Sequence, residues 1–141
     1  MSPRQNRKRV LFLCTGNSAR SQMAEGLLRA LDPDRFEVFS AGTMASFVRP
    51  QAIAVMNEIG IDISGHRSKS ADEFLADEFD YVITVCDHAN QRCPIFPGPA
   101  KRLHWSIDDP VIPGSEREQL SAFQRARDEL QQRIGKFIAR N

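Results

Sequence analysis

The sequence lacks long hydrophobic runs, an excess of charge of one sign and a large set of cysteines. Near the N-terminus the longest apolar run is Val10 to Cys14, which is too short for a membrane span or for the core of a signal peptide. Nineteen basic and eighteen acidic residues nearly cancel, so there is no strong positive footprint for nucleic acid. We therefore expect a cytoplasmic protein that binds neither membrane nor nucleic acid.

The three cysteines are too few, and odd in number, for an exported disulfide scaffold. In a reducing compartment such thiols are either small hydrophobic residues or reactive groups. A chain of 141 residues, 41% of them hydrophobic, is long enough for one domain with a sizeable core. We expect a flexible basic tail over residues 1–8, a single domain over 9–141 and a monomer.

Short apolar runs alternate with segments of helical periodicity along the chain. The runs predict strands over residues 10–13, 36–40, 81–85 and 102–105. Apolar spacing predicts helices around residues 24–31, 51–58 and 120–137, with a weaker helix over 71–77. Ser115 is the expected N-cap of the last helix, and residues 87–100 are expected to be largely loop. This alternation predicts an α/β fold: a single three-layer domain with a four-stranded parallel sheet flanked by helices.

Ligands of such sheets bind outside the carboxyl ends of the strands. Two cysteines, Cys14 and Cys86, directly follow predicted strands, and the loop after Trp105 follows a third. We therefore expect these three segments to meet at one edge of the sheet.

The loop that follows the first strand is suited to hold a tetrahedral oxyanion. Its backbone amides, together with the positive end of the next helix, can curl around such an anion; the residues concerned are Thr15, Gly16, Asn17, Ser18, Ala19 and Arg20. The guanidinium of Arg20 can bind two oxygens at once. These groups favour the thiolate of Cys14, which would be a nucleophile aimed at the central atom. A buried structural cysteine beside a surface arginine is the alternative.

Residues 14–26, CTGNSARSQMAEG, resemble the anion loop of the low-molecular-weight tyrosine phosphatase superfamily, and more narrowly the arsenate reductases built on that fold. The resemblance continues through 40–42, 61–64, 104–105 and 108–110, so it covers nearly the whole chain after about residue 9. It implies the low-molecular-weight phosphatase fold and a general acid at Asp109, before Pro110. Asp108 is the competing candidate for the acid.

Cys86 and Cys93 decide between the two activities, because a phosphatase needs only one catalytic cysteine. Resemblance to the thioredoxin-coupled arsenate reductases implies a relay: Cys14 attacks arsenate, Cys86 then attacks Cys14 to release arsenite, and Cys93 takes over the disulfide. Thioredoxin would reduce the Cys86–Cys93 disulfide, and no metal or cofactor is implied. A zinc site formed with His88 and His104 is an alternative, as is a purely structural role for either cysteine.

Four further residues are expected to support the anion loop. Ser21 is placed to donate a hydrogen bond to the sulfur of Cys14. The resemblance implies a network of Ser40 and Glu25 behind the loop, which in some relatives surrounds a potassium ion together with an Asn and an Asp. Lys69 stands at the position of that Asp. We therefore expect the ammonium group of Lys69 to replace potassium; a solvated surface lysine is the alternative.

Arsenate reduction by this relay is the first functional hypothesis, with phosphate and sulfate as substrate analogues and weak phosphatase activity on the side. The second is a low-molecular-weight protein-tyrosine phosphatase that works through a Cys14 phosphoenzyme. The third is a non-catalytic oxyanion-binding redox sensor. Glutaredoxin or a small thiol is the open alternative to thioredoxin as electron donor.

Overall fold

The computed structural model describes residues 7–141, and its fold is the predicted α/β fold with four parallel strands. The strands are β1 (Lys8–Cys14), β2 (Phe36–Gly42), β3 (Tyr81–Thr84) and β4 (Lys101–His104), and the helices are α1 (Arg20–Leu31), α2 (Pro50–Asn57), α3 (Asp87–Gln91) and α4 (Glu116–Arg140). A single 3-10 turn covers Ala71–Phe74. Within the described part of the chain, no helix has both the length and the apolar composition needed to cross a membrane.

The sheet has the order β2-β1-β3-β4, with all neighbouring strands parallel. Cys14, the last residue of β1, pairs in register with Gly42 at the end of β2. Leu13 pairs with Thr84, so that Cys14 and the residues just after β3 end at the same edge. The predicted meeting of the strand ends is confirmed.

Two clusters of aromatic side chains cover the two faces of the sheet. Alternate residues of a strand point to opposite sides, so one strand can contribute to both clusters. On one face Phe137 of α4 packs against Phe36, Tyr81 and Trp105, beside the long helices α1 and α4. On the other face Phe39, Phe74, Phe79 and Phe96 form a cluster of edge-to-face rings. Helix α4 begins after Ser115, the predicted N-cap, which forms a capping box with Glu118.

The structure corrects two expectations and adds one element. The segment 87–100 is largely loop, as expected, but Asp87–Gln91 form helix α3, whose first turn is capped by the sulfur of Cys86. The weak helix over 71–77 is only a 3-10 turn over Ala71–Phe74, initiated by the side chain of Ser70. The tail expected over 1–8 overlaps the fold at Lys8, which pairs with Phe36 in the sheet. Residues 1–6 of that tail lie outside the described residues.

Candidate functional site

In the anion loop, residues 14–20, the carbonyl groups of residues 14–18 point outward and are bound by other segments of the same chain. The amides of Thr43, Met44, Ser46 and Arg49 donate to the carbonyls of residues 14, 15, 16 and 18, at 3.1, 2.8, 3.1 and 2.9 Å. The side chain of Gln22 donates to the carbonyl of residue 17 at 3.2 Å. Because these carbonyls are bound on the outside, the positive ends of their peptide dipoles face the centre of the loop.

Several amides of the loop are left for a bound anion. In residues 7–141, the amides of Gly16, Ser18 and Ala19 have no hydrogen-bond acceptor. Ala19 is the N-cap residue of α1 and supplies no side-chain cap, so the start of that helix is also open to an anion. This arrangement can bind a tetrahedral oxyanion through backbone donors.

Cys14 lies at the floor of the loop and is only 3% exposed. Its sulfur takes part in two hydrogen bonds. Its sulfur is 2.7 Å from the hydroxyl of Ser21, the predicted contact. It also accepts the amide of Asn17 at 3.2 Å. Asn17 has a φ of +46°, a left-handed conformation that asparagine tolerates better than most residues, and this turn points its amide at the sulfur. Both contacts hold the sulfur at the floor of the loop, below the inward amides.

A buried polar network fixes the loop from behind. The side-chain amide of Asn17 donates to the hydroxyls of Ser21, at 2.8 Å, and Ser40, at 3.0 Å. Ser40 in turn donates to the carboxylate of Glu25 at 2.5 Å. Glu25 is paired with Arg29, one turn along α1, at 2.6 Å. The predicted network of Ser40 and Glu25 is therefore present.

Lys69 reaches the same network with a side chain that is only 12% exposed. Its ammonium nitrogen lies 3.8 Å from the Glu25 oxygen that also accepts the Ser40 hydroxyl, and it donates to the carbonyl of Arg67 at 2.8 Å. Burial lowers the pKa of Lys69, and the charge of Glu25 opposes this effect. Lys69 is thus not a solvated surface residue. Whether it replaces potassium stays a prediction.

Gln22 and His66 belong to this network, although the sequence did not predict them. Gln22 is fully buried and donates to Asn17 Oδ1 at 2.9 Å. The Nδ1 atom of His66 lies 2.9 Å from Gln22 Oε1. Burial lowers the pKa of His66, which favours the neutral ring as a donor to Gln22. The available signal for Gln22 was its place within the motif of residues 14–26.

Arg20 links the anion loop to the segment that carries the predicted acid. Its guanidinium donates to the carbonyl of Ile107 at 2.9 Å. Asp109, two residues later, is exposed, and its carboxylate accepts the amide of Val111 at 2.9 Å. Asp108 is exposed as well. The structure thus brings the acid-bearing segment beside Arg20, while the carboxylate of Asp109 is bound within its own turn.

Cys86 lies against the anion loop, as expected from the strand ends. Its thiol is buried, 4% exposed, and lies 3.4 Å from the hydroxyl of Thr15. That hydroxyl is also 3.2 Å from Nδ1 of His88. The amide of Ala89 donates to the sulfur of Cys86 at 3.4 Å. The second thiol is therefore held next to Thr15 of the anion loop.

Cys93 is half-buried beyond the end of α3, and all three cysteines are free thiols. Its sulfur is 3.4 Å from the carbonyl of Pro94. Burial raises the pKa of Cys93, and the guanidinium of Arg102 on β4 opposes this rise. Cys93 is thus turned toward its own loop and is separated from Cys86 by α3.

His104, one of the two histidines of the zinc alternative, is engaged elsewhere. His104 Nε2 is 2.8 Å from the carboxylate of Asp87, and its Nδ1 is 2.8 Å from the hydroxyl of Thr84. In the described part of the chain, no three His, Cys, Asp or Glu side chains are grouped so that they could hold a metal ion.

Comparison with known proteins identifies a family. The family described as "Low molecular weight phosphotyrosine protein phosphatase" matches residues 9–140. An arsenate reductase of Halalkalibacterium halodurans is 46% identical over 133 residues, which are 94% of this chain and 96% of that protein. An arsenate reductase of Bacillus subtilis is 44% identical over 131 residues, 92% and 94% of the two chains.

Solved structures of both activities resemble the fold. "An arsenate reductase in oxidized state" is 36% identical with a TM-score of 0.81, and the match covers 94% of this chain and 98% of that one. The same coverage and identity hold for "An arsenate reductase in the phosphate binding state", with a TM-score of 0.77. A low molecular weight protein tyrosine phosphatase from T. tengcongensis is 32% identical, with a TM-score of 0.79 and coverage of 95% and 99%. The fold alone therefore does not separate a reductase from a phosphatase.

Proposed function

The chain belongs to the low molecular weight phosphotyrosine protein phosphatase family, and from this premise we propose that it is an arsenate reductase that uses Cys14, Cys86 and Cys93 in turn. The observation that carries the proposal is the position of Cys86. A phosphatase needs no second thiol at its anion loop, whereas here Cys86 is held against Thr15. The relatives named arsenate reductases, at 44–46% identity over most of both chains, support the same conclusion.

In the first step the anion loop binds arsenate through its inward amides and the guanidinium of Arg20. The thiolate of Cys14 attacks arsenic and forms a sulfur–arsenic bond. One arsenate oxygen leaves as water after Asp109 donates a proton to it. Ser21 and the amide of Asn17 stabilise the sulfur anion before the attack.

In the second step the thiolate of Cys86 attacks the sulfur of Cys14. A disulfide forms between the two, the sulfur–arsenic bond breaks, and its electron pair stays on arsenic, which is reduced from As(V) to As(III) and leaves as arsenite. Cys93 then attacks Cys86, so that Cys14 leaves as a thiolate and the disulfide becomes Cys86–Cys93. Both electrons come from thiols, and the proposal therefore requires no bound metal or cofactor.

Thioredoxin is the proposed reductant of the Cys86–Cys93 disulfide. The cytoplasmic location and the monomeric state stay predictions of the sequence. The test is NADPH consumption with thioredoxin and thioredoxin reductase, with and without arsenate, for the wild type and Cys93→Ser. We expect continuous arsenate-dependent oxidation in the wild type and a single turnover in the variant, because Cys93→Ser traps the protein as the Cys14–Cys86 disulfide.

The same experiment separates the alternatives. Sustained turnover of Cys93→Ser would show that another thiol resolves Cys86. If the wild type turns over with glutaredoxin and glutathione but not with thioredoxin, glutaredoxin is the electron donor. If arsenate causes no NADPH oxidation while aryl phosphate is hydrolysed rapidly, the reductase assignment is wrong. The phosphatase activity named for the T. tengcongensis structure would then be assigned instead.

A further inference from the structure

Helix α3, which lies between the second and third thiols, has little apolar anchoring. It spans five residues, Asp87–Gln91, and only Ala89 is buried. A helix this short is not stable on its own. Polar contacts to the rest of the fold must therefore account for most of its stability.

The reacting sulfur is itself part of this helix. Cys86 is the N-cap residue: its sulfur accepts the amide of Ala89, and its carbonyl accepts the amide of Asn90 at 3.1 Å. Helix α3 runs from its N-cap Cys86 to its C-cap Arg92, a helical rise of about 9 Å, and Cys93 follows it, whereas disulfide-bonded Cα atoms lie at most about 7 Å apart. The third step of the relay thus requires α3 to unwind.

Asp87, the first residue of α3, binds the helix to His104, the last residue of β4, and to Ser106, two residues after it. Its carboxylate accepts a hydrogen bond from His104 Nε2 at 2.8 Å and one from the hydroxyl of Ser106 at 3.1 Å. His104 is supported from the other side by Thr84, at 2.8 Å, and the Thr84 hydroxyl also lies 3.3 Å from Asn90 of α3. These bonds tie both ends of α3 to neighbouring strands β3 and β4.

We propose that Asp87 and His104 form a latch that keeps α3 folded, and that they are positioning residues which set how readily Cys93 reaches Cys86. The inference rests on the proposed function for its role in turnover. Neither side chain reacts: in the step they control, the thiolate of Cys93 attacks Cys86 Sγ, the Cys14–Cys86 bond breaks, and the electron pair leaves on the sulfur of Cys14. No net oxidation occurs.

The test measures disulfide formation without arsenate. In a Cys14→Ser background, the reduced protein is equilibrated with mixtures of oxidised and reduced dithiothreitol. Two electrons and two protons pass from Cys86 and Cys93 to oxidised dithiothreitol, and the disulfide is quantified by alkylation and mass spectrometry. We expect Asp87→Asn to raise the equilibrium constant for the disulfide about two- to fivefold, because the variant loses contacts present only while α3 is folded.

Three companion variants sharpen the result. Asp34→Asn removes an exposed carboxylate far along the chain and is expected to leave the constant unchanged. His104→Gln keeps a side-chain N–H donor for Asp87, so its constant should lie between those of the wild type and His104→Ala. Hydrogen exchange at the amides of Asn90 and Arg92, which donate within α3, should be faster in Asp87→Asn. A merely structural defect would not favour the disulfide.

An equilibrium constant for Asp87→Asn that is equal to or below that of Asp34→Asn would overturn the proposal. If Asp87→Asn does not fold, Ser106→Ala, which removes the second bond to Asp87, is measured in its place. Since arsenate is absent, a latch effect in a protein that does not reduce arsenate would reject the proposed function and retain the latch. Arsenate turnover in a protein that shows no latch effect would reject the latch and retain the proposed function.

Discussion

At the scale of single residues, Lys69 occupies the space behind the anion loop where the resemblance led us to expect a cation site. Its ammonium group supplies a positive charge 3.8 Å from Glu25, beside the hydroxyl of Ser40. A second cation in the same space would meet a like charge. The carboxylate of Glu25 therefore has positive partners within the protein, Arg29 and Lys69.

We expect the arsenate turnover of the wild type to change by less than about twofold when potassium replaces sodium at constant ionic strength. Lys69→Ala vacates the space beside Glu25, and its activity should be lower and partly restored by potassium. Lys136→Ala, which removes an exposed lysine of α4, is the matched control and should behave as the wild type. Several-fold activation of the wild type by potassium would contradict the assignment.

Some contacts in the site could be predicted from the sequence and others could not. The contact of Ser21 with Cys14, and that of Ser40 with Glu25, follow from residues that lie within or beside the recognisable loop motif. Gln22 and His66 are 44 residues apart, and Asp87 and His104 are 17 apart. Such pairs depend on how loops return to the sheet, which local spacing does not specify.

At the scale of elements, the anion loop keeps its shape because the last residue of β2, Gly42, packs against it and has no side chain. A Cβ atom on Gly42 would lie 2.5 Å from the carbonyl oxygen of Thr15 and 2.8 Å from the amide nitrogen of Asn17. Both are backbone atoms that cannot rotate away, so the loop itself would have to move. Glycine is required here for close approach.

We expect Gly42→Ala to weaken phosphate binding and to lower arsenate turnover by up to about a hundredfold, because small displacements of a preorganised site are costly. Gly65→Ala is the control, since a Cβ atom there meets nothing within 4 Å. Calorimetric titration with phosphate measures the binding effect independently of redox chemistry. Equal phosphate affinities for the two variants would show that the loop tolerates the added methyl group.

Helix α3 shows why an element with chemical importance escaped prediction. It has no apolar periodicity, because only Ala89 of its residues is buried. Its start is capped by a cysteine sulfur, which is not among the common N-cap groups. By contrast, the strands β1 and β3 and the helix α4 were predicted correctly because buried runs and helical spacing are strong signals.

At the scale of the whole molecule, the contacts of Phe137 with β2 and β3 lie at the end of the sheet opposite the site. Phe137 packs on Phe36 and Tyr81, the first residues of β2 and β3, while the anion loop follows the last residue of β1. A strand of seven residues separates the two ends by about 20 Å. Stability and chemistry can therefore be perturbed separately.

We expect Phe137→Ala to lower the free energy of unfolding by about 3–5 kcal/mol, because the side chain is only 5% exposed and contacts three rings. Urea denaturation measures this loss, and phosphate affinity of the folded variant should stay unchanged. Gln131→Ala, an exposed position of the same helix, should shift stability by no more than about 0.5 kcal/mol. A large drop in phosphate affinity for Phe137→Ala would show that the two ends are coupled.

The outward carbonyls of the anion loop affect how the site selects between oxyanions. A ring of fixed amides recognises the size, shape and charge of an oxyanion, and arsenate and phosphate share all three. Under the proposed function, phosphate is thus a competitor that the pocket does not exclude, and discrimination takes place after binding. Only a central atom that can accept an electron pair lets Cys86 complete its attack, so fidelity comes from the redox chemistry of arsenic. The rate at low arsenate is then set by the ratio of the two anions in the cell.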